Sequence, residues 1–130
     1  MTRALIIAAV AAALLVPNGA AASTNVAIRI HYSRFEPALV TVPRGVPVTI
    51  VLHNDDPIDH EWIVGTADVH ARHRTGTEPV HETRPSEVSV PAGQTRTTVV
   101  TFAEAGLLQM ICHLPGHERY GMVGVVRVLP

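Results

Sequence analysis

Three potential metal ligands recur at equal intervals in one short segment of this chain. Cys112, His117 and Met122 follow the pattern Cys-x4-His-x4-Met, with Pro115 and Gly116 between the first two. A small copper site takes these donors from one loop, with a thiolate and imidazoles in a trigonal plane and a thioether weakly on the axis. The segment therefore predicts a strand that ends at the cysteine, a tight turn around an ion, and a strand that returns after the methionine.

A trigonal site of this kind needs a second imidazole, which has to come from another part of the chain. The best candidate is His60, in the acidic segment Asn54-Asp55-Asp56-Pro57-Ile58-Asp59-His60. Taken singly, each of these side chains is more often a core or surface residue than a ligand. Their combined chemistry and spacing favour a metal site. We predict one type 1 copper ion bound by His60, Cys112, His117 and Met122, with no catalytic residue and no other cofactor.

The first 22 residues have the features of an export signal. Arg3 precedes an apolar run from Ala4 to Val16, and Ala20-Ala21-Ala22 offers a cleavage site. An uncleaved N-terminal anchor is the alternative. We therefore expect an exported protein, periplasmic, in the cell envelope or secreted, in which the single cysteine cannot form an internal disulfide.

Removal of residues 1–22 leaves residues 23–130, which is enough chain for one domain with one core. Nine arginines then face eleven acidic residues, and the chain contains no lysine, so the net charge is −2. This balance argues against nucleic acid or an anionic membrane surface as a partner. We expect a monomer.

Alternating apolar residues predict strands along most of residues 23–130. The pattern runs from Val26 to Tyr32, from Val46 to Leu52, from Thr95 to Phe102 and from Met122 to Leu129. Shorter apolar runs occur at Val88–Val90 and at Leu107–Cys112, and turn residues lie between the runs. Six to eight short strands in one small domain predict an all-β fold, a β-sandwich with Greek-key connections.

Residues 65–87 break this pattern. The segment is polar and too long for a tight connection, so we expect an insertion between strands with a turn of helix at Val69–Arg74. It carries His70, His73 and His81, and the first two would share a helix face. These histidines either bind a second metal ion or pass copper to the main site, or they belong to a solvated loop.

The ligand loop and the opening strands resemble those of the cupredoxins, the blue copper family that includes plastocyanin, azurin and the phytocyanins. The resemblance covers most of residues 23–130. The segments that carry it are Phe35-Glu36-Pro37, Val42-Pro43-Arg44-Gly45, Val48–Asn54, Thr101–Gly106, and the loop from Cys112 through Gly124. It implies a copper ion that cycles between Cu(I) and Cu(II), with His60, Cys112 and His117 equatorial and Met122 axial.

The chain departs from the family pattern beside two of the ligands. Many cupredoxins have Asn after the first histidine and Ser or Thr after the cysteine, whereas this chain has Glu61 and His113. We consider two arrangements, a charge-assisted pair that ties the ligand loops together, and two side chains that face solvent independently. The acidic cluster around His60 either steers a basic partner or is a solvated loop.

A copper ion saturated by protein ligands has no open position for a substrate, which favours one-electron transfer over catalysis. The main functional prediction is therefore a non-enzymatic electron carrier that docks weakly with redox proteins near His117. The alternative is copper binding for homeostasis or resistance outside the cytoplasm, which the extra histidines would support. An oxidase subunit is a weaker third possibility, because a binuclear site would need a second cysteine at Gly116.

Overall fold

A computed structural model of the chain describes residues 24–76 and 84–130. The proposed export signal and His81 lie outside these residues. The described part contains nine strands and one helix, α1 (Ala67–Thr75). The strands are β1 (Thr24–Ile30), β2 (Phe35–Glu36), β3 (Leu39–Pro43), β4 (Pro47–Asn54), β5 (His60–Gly65), β6 (Glu87–Val90), β7 (Thr95–Thr101), β8 (Gly106–Ile111) and β9 (Val123–Leu129).

The strands form two sheets that enclose one core. The first sheet has the order β2-β1-β4-β7, and the second has the order β3-β9-β8-β5-β6. β1 pairs with β4 in parallel, and β3 pairs with β9 in parallel, whereas the remaining neighbours are antiparallel. Because hydrogen-bonded neighbours are often distant in sequence, the connections cross between the sheets. The predicted Greek-key β-sandwich is confirmed.

Alternating side chains explain why these segments are strands. In β4, Val48, Ile50 and Leu52 are buried, and the residues between them are partly or fully exposed. Such alternation places one face of the strand on the core and the other toward water. β5 differs, since all six of its residues are buried between β6, β8 and α1.

The structure changes three details of the sequence prediction. The strand count is nine among the described residues rather than six to eight, partly because the two-residue β2 has no period to detect. Tyr32 is not part of β1 but lies in the turn after it, with 79% of its surface exposed. The helical turn predicted at Val69–Arg74 is confirmed and is longer, because α1 spans nine residues. No helix in the described ranges is long and apolar enough to cross a membrane.

Candidate metal centre

Three of the four predicted ligands meet at one end of the sandwich. His60 is the first residue of β5, and Cys112 directly follows β8, the neighbour of β5 in the second sheet. His117 lies in the turn after Cys112. The ligand atoms of these three residues all lie within 4.8 Å of one another. The sheet therefore joins two parts of the chain that are 52 positions apart into one cluster.

The hydrogen bonds of His60 determine which of its nitrogens faces the cluster. Its Nε2 lies 2.9 Å from the Asp56 carboxylate, and because a carboxylate accepts, Nε2 carries the proton. Nδ1, on the other side of the ring, lies 3.1 Å from Nδ1 of His117. Nδ1 of His117 is in turn 3.3 Å from Cys112 Sγ. Two nitrogens about 3 Å apart suit one ion, since a metal–imidazole bond is about 2.0 Å long.

Burial sets the protonation of the donors. Burial raises the pKa of Cys112 to about 11, so the thiol keeps its proton at neutral pH until a metal displaces it. Burial, followed by the neighbouring His60, lowers the pKa of His117, which favours the neutral imidazole that a metal binds. The backbone N–H of Glu61 donates to Cys112 Sγ at 3.3 Å and would stabilise the thiolate in a loaded site.

The loop between Cys112 and Met122 is closed by its own backbone. The Cys112 amide donates to the Met122 carbonyl at 3.2 Å, and the Met122 amide donates to the His117 carbonyl at 3.0 Å. Gly116 and Gly121 have φ angles of 85° and 93°, in the left-handed region that favours glycine. Met122 is fully buried directly before β9. This places it beside the cluster, and its axial role stays a prediction.

The donor set fits copper. One cysteine sulfur and two imidazoles whose Nδ1 atoms face the same point provide the thiolate and imidazole ligands of the plane of a type 1 site once a metal displaces the thiol proton. When bound, the copper ion would supply one-electron redox chemistry, and the chain would supply a buried set of ligands. These residues are buried or half-buried, which limits access of water.

The predicted charge-assisted pair of the Glu61 and His113 side chains is wrong, although Glu61 does connect the two ligand loops. The Glu61 carboxylate accepts a hydrogen bond from the backbone N–H of His113 at 3.3 Å, rather than from its imidazole. Glu61 is 4% exposed. The His113 ring instead points to α1, where its Nε2 lies 2.9 Å from Nδ1 of His70. The sequence could not distinguish these arrangements, because both place residues 61 and 113 side by side.

The two described histidines of the insertion share a face of α1, as predicted. His70 and His73 both pack on the His113 ring, with centroids 5.2 and 5.4 Å away. Within residues 24–76 and 84–130, they are not part of any group of three or more ligands that could hold one ion. The structure therefore gives no support to a second metal site formed by these two histidines.

The acidic cluster is divided between the interior and the surface. Asp56 and Glu61 are 6% and 4% exposed, whereas Asp55, which is bonded to Arg29 and His53, and Asp59 are exposed. Steering of a basic partner by this cluster stays a prediction. Burial opposes ionisation of Asp56, but hydrogen bonds from the Ser33 and Tyr32 amides and from His60 outweigh it and hold its pKa below the usual range. Sequence reasoning missed that the Asp56 carboxylate accepts a hydrogen bond from the proposed ligand His60. The position of Asp56, four residues before that histidine, was a usable signal.

Comparison with known proteins agrees with the fold and the donor set. Residues 4–125 match the family of cupredoxin-like domains. The chain belongs to this family, whose sites of this type bind copper. The reduced auracyanin of Roseiflexus castenholzii is similar in structure, with a TM-score of 0.70 and 25% identity over 84% of this chain and 99% of the other. Auracyanin A of Chloroflexus aurantiacus shares the fold, with a TM-score of 0.64 and 23% identity over 82% of this chain and 99% of the other.

Two curated relatives are named for copper resistance. The chain is 36% identical over 116 residues to the copper-resistant cuproprotein CopI of Rubrivivax gelatinosus, covering 85% of this chain and 70% of the relative. It is 27% identical over 145 residues to the CopI of Pseudomonas aeruginosa, covering 87% of this chain and 80% of the relative.

Proposed function

We propose that this cupredoxin works outside the cytoplasm in copper resistance or homeostasis, by binding one copper ion through His60, Cys112, His117 and Met122. The observation that carries the proposal is the 36% identity to a copper-resistance cuproprotein over 85% of the chain. The clustered donor atoms of His60, Cys112 and His117 support it, because a thiol and two imidazoles are a donor set that suits copper. Residues 1–22 would direct export, and the mature protein would be a monomer without enzymatic activity.

The donor set suits tight binding of copper. A thiolate at the end of a buried strand and two imidazoles offer soft and borderline donors, which favour copper over harder cations. Four protein ligands leave no open position for a substrate. Such a site would lower the concentration of free copper around the cell.

Electron carriage is the second candidate, and the rigidity of the site favours it. Ligands held by a buried strand and a backbone-closed loop would change little between Cu(I) and Cu(II). His117 is half-buried at the surface end of the site, beside Leu114 and the exposed Pro115. A redox protein could dock weakly on this small apolar area.

A copper titration tests the site itself. One equivalent of Cu(II) added to residues 23–130 should give an intense thiolate-to-copper absorption band, and Cys112→Ser should abolish it because the sulfur donor is lost. Val99→Thr, an exposed substitution on β7, is the control and should keep the band. Absence of any coloured species in the wild type would exclude the type 1 site.

Growth of a copper-sensitive bacterial host tests the physiological role. Export of the full chain should restore growth at raised copper, with Val99→Thr as effective as the wild type and Cys112→Ser ineffective. Equal protection by Cys112→Ser would contradict the resistance proposal.

Line broadening in NMR spectra of mixed Cu(I) and Cu(II) forms measures electron self-exchange, and slow exchange would remove electron carriage as a candidate.

A further inference from the structure

Asp56 is a buried carboxylate directly behind a proposed copper ligand. Its Oδ2 accepts the Nε2–H of His60 at 2.9 Å, and the Tyr32 and Ser33 amides donate to Oδ1 and Oδ2 at 2.7 and 2.8 Å. Its own amide donates to the Asn54 side chain at 3.0 Å. Among the described residues no arginine lies within salt-bridge distance of it. The groups around its negative charge are these N–H donors, His60, and the His31 imidazole, whose Nδ1 lies 3.8 Å from Oδ1.

The turn that supplies two of these donors has an unfavourable backbone. Tyr32 and Ser33 have φ angles of 51° and 52°, where side chains other than glycine are rare. Reciprocal hydrogen bonds between His31 and Arg34 close this turn as a two-residue hairpin between β1 and β2. In this conformation both central amides point at Asp56. Residues held in this region of backbone conformation beside a proposed metal ligand point to a constraint, and the contact with Asp56 is the one that the turn makes.

We propose that Asp56 is a positioning residue for copper, which holds His60 in the Nδ1-binding orientation and favours the oxidised ion. A carboxylate bonded to Nε2 fixes the tautomer of an imidazole and makes its other nitrogen a stronger donor. Cu(II) carries one more positive charge than Cu(I), so a nearby buried negative charge stabilises Cu(II) more. The inference rests on the copper site of the proposed function.

A purely structural role for Asp56 is the competing explanation. The carboxylate also fastens the β1–β2 turn to the segment after β4, and this alone would account for its burial. Such a role would affect stability and leave the relative affinities for Cu(I) and Cu(II) unchanged. The test therefore measures the reduction potential of the loaded protein.

Asp56→Asn in the copper-loaded full chain removes the charge and keeps the size of the side chain. We expect Cu(II) affinity to fall about 10- to 100-fold, as for other partners of metal-bound histidines. Cu(I) affinity should fall less, and each tenfold difference raises the potential by about 59 mV for a one-electron couple. Asp56→Glu, which keeps the charge, should restore a lower potential than Asp56→Asn.

Asp55→Asn is the matched control. It removes the same charge one residue away, where the carboxylate is bonded to Arg29 and His53 instead of a ligand. We expect this variant to keep a potential close to that of the wild type. Equal potentials in Asp56→Asn and the wild type, or equal shifts in both asparagine variants, would overturn the proposal.

NMR of the wild type keeps the proposal testable if Asp56→Asn does not fold. In the diamagnetic Cu(I) form, the Nε2–H of His60 should give a signal that exchanges slowly with solvent, because it is buried and bonded to a carboxylate. Rapid exchange of that proton would overturn the proposal. Failure of the wild type to bind copper would instead contradict the proposed function, so the two failures are distinguishable.

Discussion

His70 and His113 form a hydrogen-bonded imidazole pair outside the ligand cluster. Nε2 of His70 lies 3.1 Å from the Gln109 carbonyl, so this nitrogen is the donor and Nδ1 of His70 is the acceptor. The Nε2 of His113, 2.9 Å away, must then donate. Burial lowers the pKa of His70, and burial together with His70 lowers the pKa of His113 to about 4. Both rings are therefore neutral at physiological pH.

This pair predicts a loss of stability in acid. Unfolded histidines take up protons near pH 6.5, whereas the folded rings resist protonation, so the unfolding free energy should fall as the pH drops from 7 to 5. The loss is at most about 1.4 kcal/mol per pH unit for each ring that stays neutral. Denaturant unfolding of the wild type and His70→Gln should show a smaller pH slope in the variant.

The metal ligands also bind protons as the pH falls, which contributes to the pH slope of the unfolding free energy. When both proteins are measured in the same copper state, this contribution is the same in each and drops out of the difference between their slopes. Identical slopes in the wild type and His70→Gln would contradict the assignment of this acid sensitivity to the imidazole pair.

At the scale of elements, α1 is tied to the copper-binding loop at two places. His70 contacts His113, and the Arg74 guanidinium donates to both carboxylate oxygens of Glu118, with distances of 2.6 Å for Nη2 and 3.0 Å for Nε. Residue 118 directly follows the ligand His117. The insertion therefore packs against the loop that would have to open for copper to leave, although its described histidines form no metal site of their own.

Arg74→Gln should accelerate the loss of copper to a competing chelator. Removal of the bidentate contact leaves the loop tied to α1 mainly by the histidine pair, so we expect a roughly two- to fivefold faster release, in keeping with a single exposed ion pair. Arg72→Gln is the control, because Arg72 is exposed on the same helix and has a similar charge. The rate of copper release is measured from the decay of the thiolate-to-copper band. Equal rates in the two variants would contradict a role of the Arg74–Glu118 ion pair in holding the loop.

At the scale of the whole molecule, the site joins segments that the two sheets hold apart. The proposed ligand His60 is the first residue of β5, the other proposed ligands lie between β8 and β9, and Asp56 contacts the β1–β2 turn of the other sheet. An ion held by all these ligands binds the folded chain more tightly than the unfolded one, in which His60 is not held beside the loop. Copper binding should therefore stabilise the entire sandwich and not only the loop.

Removal of copper should lower the melting temperature. A ligand at about 1,000 times its Kd stabilises the folded state by about 4 kcal/mol. For a domain near 100 residues, each kcal/mol corresponds to about 4–8 °C, so a shift of roughly 15–30 °C is expected. Calorimetry with and without copper measures it. Cys112→Ser should show little of this shift, and an equally large shift in that variant would mean that copper stabilises the protein at another site.

The local pattern of the chain determined its strands and the loop of the proposed metal centre. Cys112 and His117 lie five residues apart, so short backbone geometry brings them together, and alternating apolar residues define strands wherever one face is buried. The tertiary structure decided the surroundings of the site. Asp56 meets the Tyr32 and Ser33 amides across 24 and 23 positions, and His113 meets His70 across 43. Such contacts depend on strand order and side-chain direction, which residue types and spacing leave open.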